Sequence, residues 1–269
     1  LSPTVAKELA SQRLGEIAVN CQGEPLKIIE YRSATDIDIL CVNTNNILYN
    51  QSYSNFKKGA LKDYFLPTFF NVGFVDDGII CDNDGNFTFS FKVWDGMLKR
   101  CYSQSELKKY PTYQKCYVCD EWLHLPRFQK WVEQNYYSCG DEKMCLDKDI
   151  LFKNNCMYSP QTAMFVPERI NILLTKANAS RGKYPIGVYY KKKSQKYVAQ
   201  VSELADEKGG TKKQKYLGLF ASPEEAFEVY KKEKEAYIKK VADYYATKYS
   251  EFPEKIYNAL YNYKVEITD

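Results

Sequence analysis

Residues 146 to 171 read LDKDILFKNNCMYSPQTAMFVPERIN. The run predicts a strand, an asparagine-containing loop, a second strand and the start of a helix. Asp147 then ends the first apolar segment and Asn171 lies one turn into the helix. A carboxylate and an amide oxygen are hard donors of the kind that hold Mg2+. An ion so held can stabilise a phosphate and its leaving oxygen. The residue after Asp147 is Lys148, a cation at neutral pH rather than a ready proton acceptor. The sole histidine, His124 in EWLHLPRF, is far away in sequence and reads as a packed or surface residue.

The elements that would position these residues can be read along the chain. Residues 13 to 62 alternate short β-rich runs (LKIIEY, DIDILCV) with turn signals (CQGEP, NTNN), which predicts a small barrel or meander within a domain spanning 1–66. A central unit, 67–176, holds two amphipathic helices. Trp94, Met97, Leu98 and Cys101 share one helix face, and Phe128, Trp131 and Val132 share another behind Pro126. Past the polar stretch KANASRGK come three strands, IGVYYKK, KYVAQVSEL and KYLGLF. A long helix follows, with Ser222 as its cap, Pro223 in its first turn and Glu225 closing a capping box. Its stripe of Phe227, Tyr230, Tyr237, Val241 and Tyr245 is expected to face the sheet. That unit spans 183–248, and 249–269 reads as a tail. The expected class is α+β.

Composition narrows the function classes. A chain of 269 residues with 45% hydrophobic and 27% charged residues fits an ordinary globular protein. No run approaches the ~18 apolar residues of a membrane span, and LSPTVAKELASQRLGE has no apolar leader core. An intracellular location is therefore expected. Nine cysteines without framework spacing read as reduced thiols. Cys116 and Cys119 form the only tight pair, and Cys139 and Cys145 are spaced too widely to complete a zinc site, so zinc is not expected. The 24 tyrosines can fill β-rich cores or stack on bases.

Net charge is only +4, but residues 183–219 carry nine lysines against three acids. Lys191, Lys192, Lys193 and Lys196 flank one turn, and Lys212, Lys213 and Lys215 lead into the third strand. Such a cluster supplies sequence-blind, salt-sensitive affinity for a phosphate backbone. A sheet can also enter a major groove, where Tyr189, Gln195, Tyr197 or Gln200 would reach base edges. The segment YPIGVYYKKKSQKYVAQV…KYLGLFASPEEAFEVY resembles the Apetala/ethylene-response-factor type of DNA-binding domain. The resemblance implies three antiparallel strands on one helix and double-stranded DNA as the partner. Tyr197 stands where that family has tryptophan, and lysines stand where it has several base-reading arginines. Lysine cannot make the bidentate contact of arginine to guanine, so DNA binding without tight sequence specificity is the expectation.

The central stretch, WDGMLKRCYS…YPTYQKCYVCDEWLHLPRFQKW…LDKDILFKNNCMYSPQTAMFVPERIN, resembles phage-borne HNH-type endonucleases of the homing-endonuclease lineage. The resemblance implies a ββα-metal site with Asp147 as metal carboxylate, Asn171 as helix ligand, Asn155 as the loop residue that braces the fold, and Mg2+ as the ion. Lys148 falls on the catalytic histidine. To serve as a base at neutral pH it would need a pKa lowered by about 3 units, or ~4 kcal/mol. As a cation it could instead grip a phosphate. Asp149 is the other candidate base, and strand alternation would put it on the face of Asp147, with Lys148 pointing away. The resemblance also implies a phage or prophage origin, hence a bacterial cytoplasm or a virion. Its alternative outcome is a descendant that no longer cleaves and acts by binding DNA or a protein.

Overall fold

The computed structural model describes residues 3–175, 183–203 and 213–267. Lys212, most of the loop before the third strand of the basic sheet, and residues 176–182 of the polar stretch lie outside the described residues. The chain is α+β and divides into two compact units, Leu1–Val132 and Glu133–Asp269. The division falls inside the stretch 67–176.

The first unit begins with α1 (Pro3–Arg13) and a sheet of β1 (Ile17–Val19), β2 (Pro25–Ser33), β3 (Asp36–Cys41) and β4 (Ile47–Gln51). These strands pair in sequence order, all antiparallel, as an open meander. Period-two burial explains which side faces inward. Leu26 and Ile28 of β2 meet Ile37, Ile39 and Cys41 of β3 in one core with Phe56 and Leu61. Phe56 comes from α2 (Tyr53–Lys57), which starts where the Ser52 hydroxyl accepts from Asn55 N.

The rest of this unit is built around aromatic helices. Thr88 caps α3 (Phe89–Tyr102), and Trp94, Met97, Leu98 and Cys101 are buried along it, as their spacing predicts. The Trp94 indole donates to Trp122 O at 2.6 Å, so the ring's one polar atom is satisfied inside the core. α4 (Gln104–Lys109) and the two-residue strand β5 (Tyr117–Val118) lead to α5 (Leu125–Asn135). Phe128, Trp131 and Trp122 pack edge to face or tilted at its start.

The second unit holds two assemblies. In the first, β6 (Met144–Asp147) pairs antiparallel with β8 (Met164–Pro167), in a register running from Met144↔Pro167 to Asp147↔Met164. The intervening loop contains the two-residue strand β7 (Met157–Tyr158). α6 (Glu168–Leu174) begins immediately after β8 and packs on both strands through Ile170 and Leu173. In the second assembly, β9 (Val188–Lys191), β10 (Lys196–Ser202) and β11 (Gln214–Phe220) form an antiparallel sheet with β10 central. α7 (Pro223–Lys248) lies on it, capped by Ser222 as its sequence predicts.

The stripe on α7 departs from expectation in its second half. Phe227 and Tyr230 join Ala199 and Val201 of the sheet in one core. Further along, Ile238, Val241, Ala242 and Tyr245 are the buried residues, while Tyr237 is only half-buried. A 26-residue helix is about 39 Å long and a seven-residue strand about 23 Å, so the helix outruns the sheet. Its far end packs on α8 (Glu254–Tyr261), and Tyr245 stacks near Phe252. Residues 252–265 therefore do more than trail the fold: Phe252, Ile256, Leu260 and Val265 are all buried. No helix among the described residues is long and apolar enough to cross a membrane.

Candidate metal loop and nucleic-acid interface

The hairpin β6–β8 followed directly by α6 has the strand, loop, strand, helix order expected from residues 146–171. β6 ends at Asp147 because that side chain turns the backbone. Its Oδ1 accepts from Asp149 N at 2.8 Å and from Ile150 N at 2.7 Å, closing an Asx-type turn. Its Oδ2 has no hydrogen-bond partner among the described residues. Burial holds the Asp147 carboxyl above the usual carboxylate range. The Ile150 N–H pulls it back, and the charge of Asp149 pushes it up again.

A carboxyl with a raised folded pKa weakens the fold as pH rises. Below its ordinary value both folded and unfolded chains are protonated there, and the cost appears as pH climbs through the raised folded value. Asp147→Asn keeps an oxygen for the two N–H groups and removes the ionisation. We expect it to raise Tm at pH 7 without added divalent ions and to leave Tm unchanged at pH 3; equal shifts at both pH values would show that ionisation is not the cause.

The strand stops at Asp147, and Lys148 and Asp149 lie in the bend just beyond it, where burial still alternates: Lys148 is buried, while Asp147 is half-buried and Asp149 exposed. Lys148 is buried, and its Nζ donates to Asp149 Oδ2 and to Asn155 O, each at 2.7 Å. An amine whose protons are held by a carboxylate and a carbonyl is a donor, and it presents no lone pair to water. Asp149 is exposed and spends one oxygen on that ammonium.

Asn155 ties the loop. Its Nδ2 donates to Lys148 O at 2.8 Å and to Met157 O at 2.7 Å, and its Oδ1 accepts from Met157 N at 3.2 Å. It thus spans the loop from the position after Asp147 to β7. Asn171 sits half-buried on α6, and its side-chain amide has no hydrogen bond among the described residues. Asp147 Oδ2 and the Asn171 amide oxygen are hard donors, and Mg2+ commonly takes one or two protein oxygens and keeps its waters. The donor chemistry fits that ion. His124 stands in the first unit, where its Nε2 lies 3.1 Å from Asp76 Oδ2 and its ring stacks on Phe74.

The β10 register sorts the basic segment into two faces. Val188, Tyr197, Ala199, Val201, Leu217 and Phe220 turn toward α7. The other face carries Tyr189, Lys191, Lys196, Gln200, Tyr216 and Leu219, with Val198 buried between its partners Tyr189 and Leu219. Two residues expected at the interface therefore lie elsewhere. Tyr197 packs on the helix side against Tyr184 and Tyr190. Lys215, opposite Val201, is on the helix side and pairs with Glu233 of α7 at 2.5 Å. Lys192, Lys193 and Gln195 are exposed in the β9–β10 turn, where Gln195 takes a φ of 51°. Lys191, Lys192, Lys193, Lys196 and Lys213 are all exposed and have no acidic partner among the described residues.

Sequence reading missed one cluster altogether, the buried side chains of Glu24, Cys41 and Asp63 in the first unit. No spacing signal marks it, because its members come from a turn, a strand end and a loop.

No family model, no curated protein and no solved structure matches the chain.

Proposed function

We propose that this protein binds double-stranded DNA through the face of the β9–β10–β11 sheet turned away from α7. One observation carries the reading: Lys191 and Lys196 are register partners, held directly opposite each other on that face. Like charges placed across a strand pair destabilise a sheet. Lys192 and Lys193 are exposed in the same turn, so a bound polyanion would offset the local repulsion. Tyr189 and Tyr216 beside them offer exposed rings that suit a nucleic-acid surface. The likeness of this segment to the Apetala/ethylene-response-factor domain supports the same partner. With lysine in place of the base-reading arginines, affinity comes from the backbone and sequence preference is weak.

In the same proposal, the β6–β8–α6 assembly descends from a phage HNH-type nuclease acting in a bacterial cytoplasm. Its chemistry is reduced by the loss of the histidine, since the Lys148 ammonium is engaged by Asp149 and the Asn155 carbonyl. A second reading, retained cleavage, is favoured by the unengaged Asp147 Oδ2 and Asn171 amide. Those two residues would hold Mg2+, which supplies charge stabilisation at a scissile phosphate.

One experiment addresses both. The chain is mixed with supercoiled plasmid and with a labelled duplex, with Mg2+ or Mn2+ and with chelator. The binding reading expects a shift that weakens steeply with salt and no nicking beyond that of the Asp147→Asn variant. Nicking that needs the divalent ion and disappears in Asp147→Asn would establish the second reading. A duplex that never shifts at 0.05 M salt would end the first.

A further inference from the structure

At one end of the N-terminal sheet, Glu24, Cys41 and Asp63 bring two carboxylates and a thiol together. Each side chain is fully buried, and one ligand atom from each lies within 4.8 Å of the others. The three come from separate places: the turn before β2, the last residue of β3 and the loop after α2. We propose that Glu24, Cys41 and Asp63 form a structural site for a divalent metal of borderline softness, of which Zn2+ is the type.

The surroundings hold the cluster in place without neutralising it. Asp63 is held by three hydrogen-bond donors. Its Oδ1 accepts from Asn46 Nδ2 at 3.0 Å and Phe65 N at 2.9 Å, and its Oδ2 accepts from the Thr44 hydroxyl. Its backbone is clamped both ways by Gln22, whose Oε1 accepts from Asp63 N at 2.7 Å and whose Nε2 donates to Asp63 O at 3.1 Å. The turn that carries Glu24 is fastened by Asn20 Oδ1, which accepts from Gln22 N and Glu24 N at 2.9 Å each. Gly23 in that turn takes a φ of 78°, which glycine adopts freely. This scaffolding puts the acids where they are at the expense of electrostatic repulsion.

Glu24 is the unbalanced member. Its Oε1 accepts from Asn43 N at 3.2 Å, while its Oε2 is buried with no hydrogen-bond partner among the described residues. Neither Glu24 nor Asp63 has an ion pair among the described residues. A buried carboxyl oxygen left unmatched costs free energy that folds do not ordinarily tolerate. Two species can fill the gap, a proton shared between the carboxyls or a cation.

The thiol favours the cation: besides its place in the hydrophobic core, Cys41 brings a third ligand atom within 4.8 Å of both carboxyl groups. Two carboxylates and a thiolate are a donor set that Zn2+ accepts, with bonds of about 2.0–2.2 Å to oxygen and 2.3 Å to sulfur. Mg2+ and Ca2+ avoid thiolate, and Cu+ avoids carboxylate. In the absence of an ion, burial together with the charges of Asp63 and Glu24 pushes the Cys41 thiol up to about 12. Burial also raises the Glu24 carboxyl. A metal would displace those protons on entry. The site is distinct from the Cys116–Cys119 pair, where Cys116 Sγ instead contacts Thr112 O.

The test uses the full chain stripped with chelator and titrated with Co2+, followed by Zn2+. The proposal expects uptake of about one equivalent with a thiolate-to-cobalt charge-transfer band in the near ultraviolet, bleached by Zn2+. Cys41→Ser should lose the band, and the nearly isosteric Glu24→Gln should lower uptake at least tenfold. Cys116→Ser should leave both unchanged. Zn2+ should also raise the Tm of the parent chain and not that of Glu24→Gln. A band that survives in Cys41→Ser or disappears in Cys116→Ser overturns the assignment. No uptake by the parent, with Glu24→Gln at least as stable as the parent, overturns it in favour of the shared proton.

Discussion

Reversing Lys191, Lys192 and Lys193 to glutamate is expected to weaken binding to duplex DNA by at least about 500-fold at 0.1 M salt. Each phosphate contact contributes a salt exponent of about 0.9, hence about eightfold between 1 M and 0.1 M salt, and three contacts multiply. The slope of log K against log salt should fall by about 3, with little change in which duplex is preferred. Two controls separate this from misfolding. Lys215→Gln should have a smaller effect, because Glu233 already engages that ammonium. Lys191→Gln should bind less well yet melt higher, since it removes one half of the opposed pair with Lys196. Relief of a cross-strand repulsion is worth roughly 0.2–1 kcal/mol. A triple variant that binds as well as the parent would remove the sheet from the interface.

The uneven outcome of reading this sequence has physical causes. Helices α3, α5 and α7 are legible because their information is local. Trp94, Met97, Leu98 and Cys101 repeat at helical spacing and are buried on that schedule. Ser222 accepts from Glu225 N where a cap is expected. The strand, loop, strand, helix order of 146–171 is legible for the same reason. Other features depend on pairing between distant segments. The face of Lys215 is set by a register shift between Ala199 and Gln200, which no reading of β11 alone contains. The split of the α7 stripe depends on where the sheet ends and α8 begins. The end of β6 depends on one carboxylate capping two N–H groups, which strand periodicity does not contain. Glu24, Cys41 and Asp63 meet only because the meander brings a turn, a strand end and a loop to one edge.

The largest loss of stability is expected from Asn155→Ala. Its amide serves Lys148 O and Met157 O as donor and Met157 N as acceptor. Removing it takes a partner from Lys148 O and from Met157 N in a half-buried loop, while Met157 O keeps the Thr162 hydroxyl at 2.8 Å, a cost of about 2–3 kcal/mol. Lys148→Met removes the donor to Asn155 O and to the exposed Asp149, and fills similar volume. It should cost about 1–2 kcal/mol, because one of the two acceptors regains water. The two changes share the same loop, so the double variant should fall short of their sum. The loss should also reach the basic sheet. Lys153 of this loop donates to Lys264 O at 3.0 Å, and the adjacent Val265 lies in the core between the sheet and α7. Urea unfolding followed by far-ultraviolet circular dichroism measures all three variants. If Asn155→Ala unfolds at the parent's midpoint, the brace contributes nothing to holding Asp147 in place. The loop would then be organised by the Asx turn and the Lys148 ammonium alone.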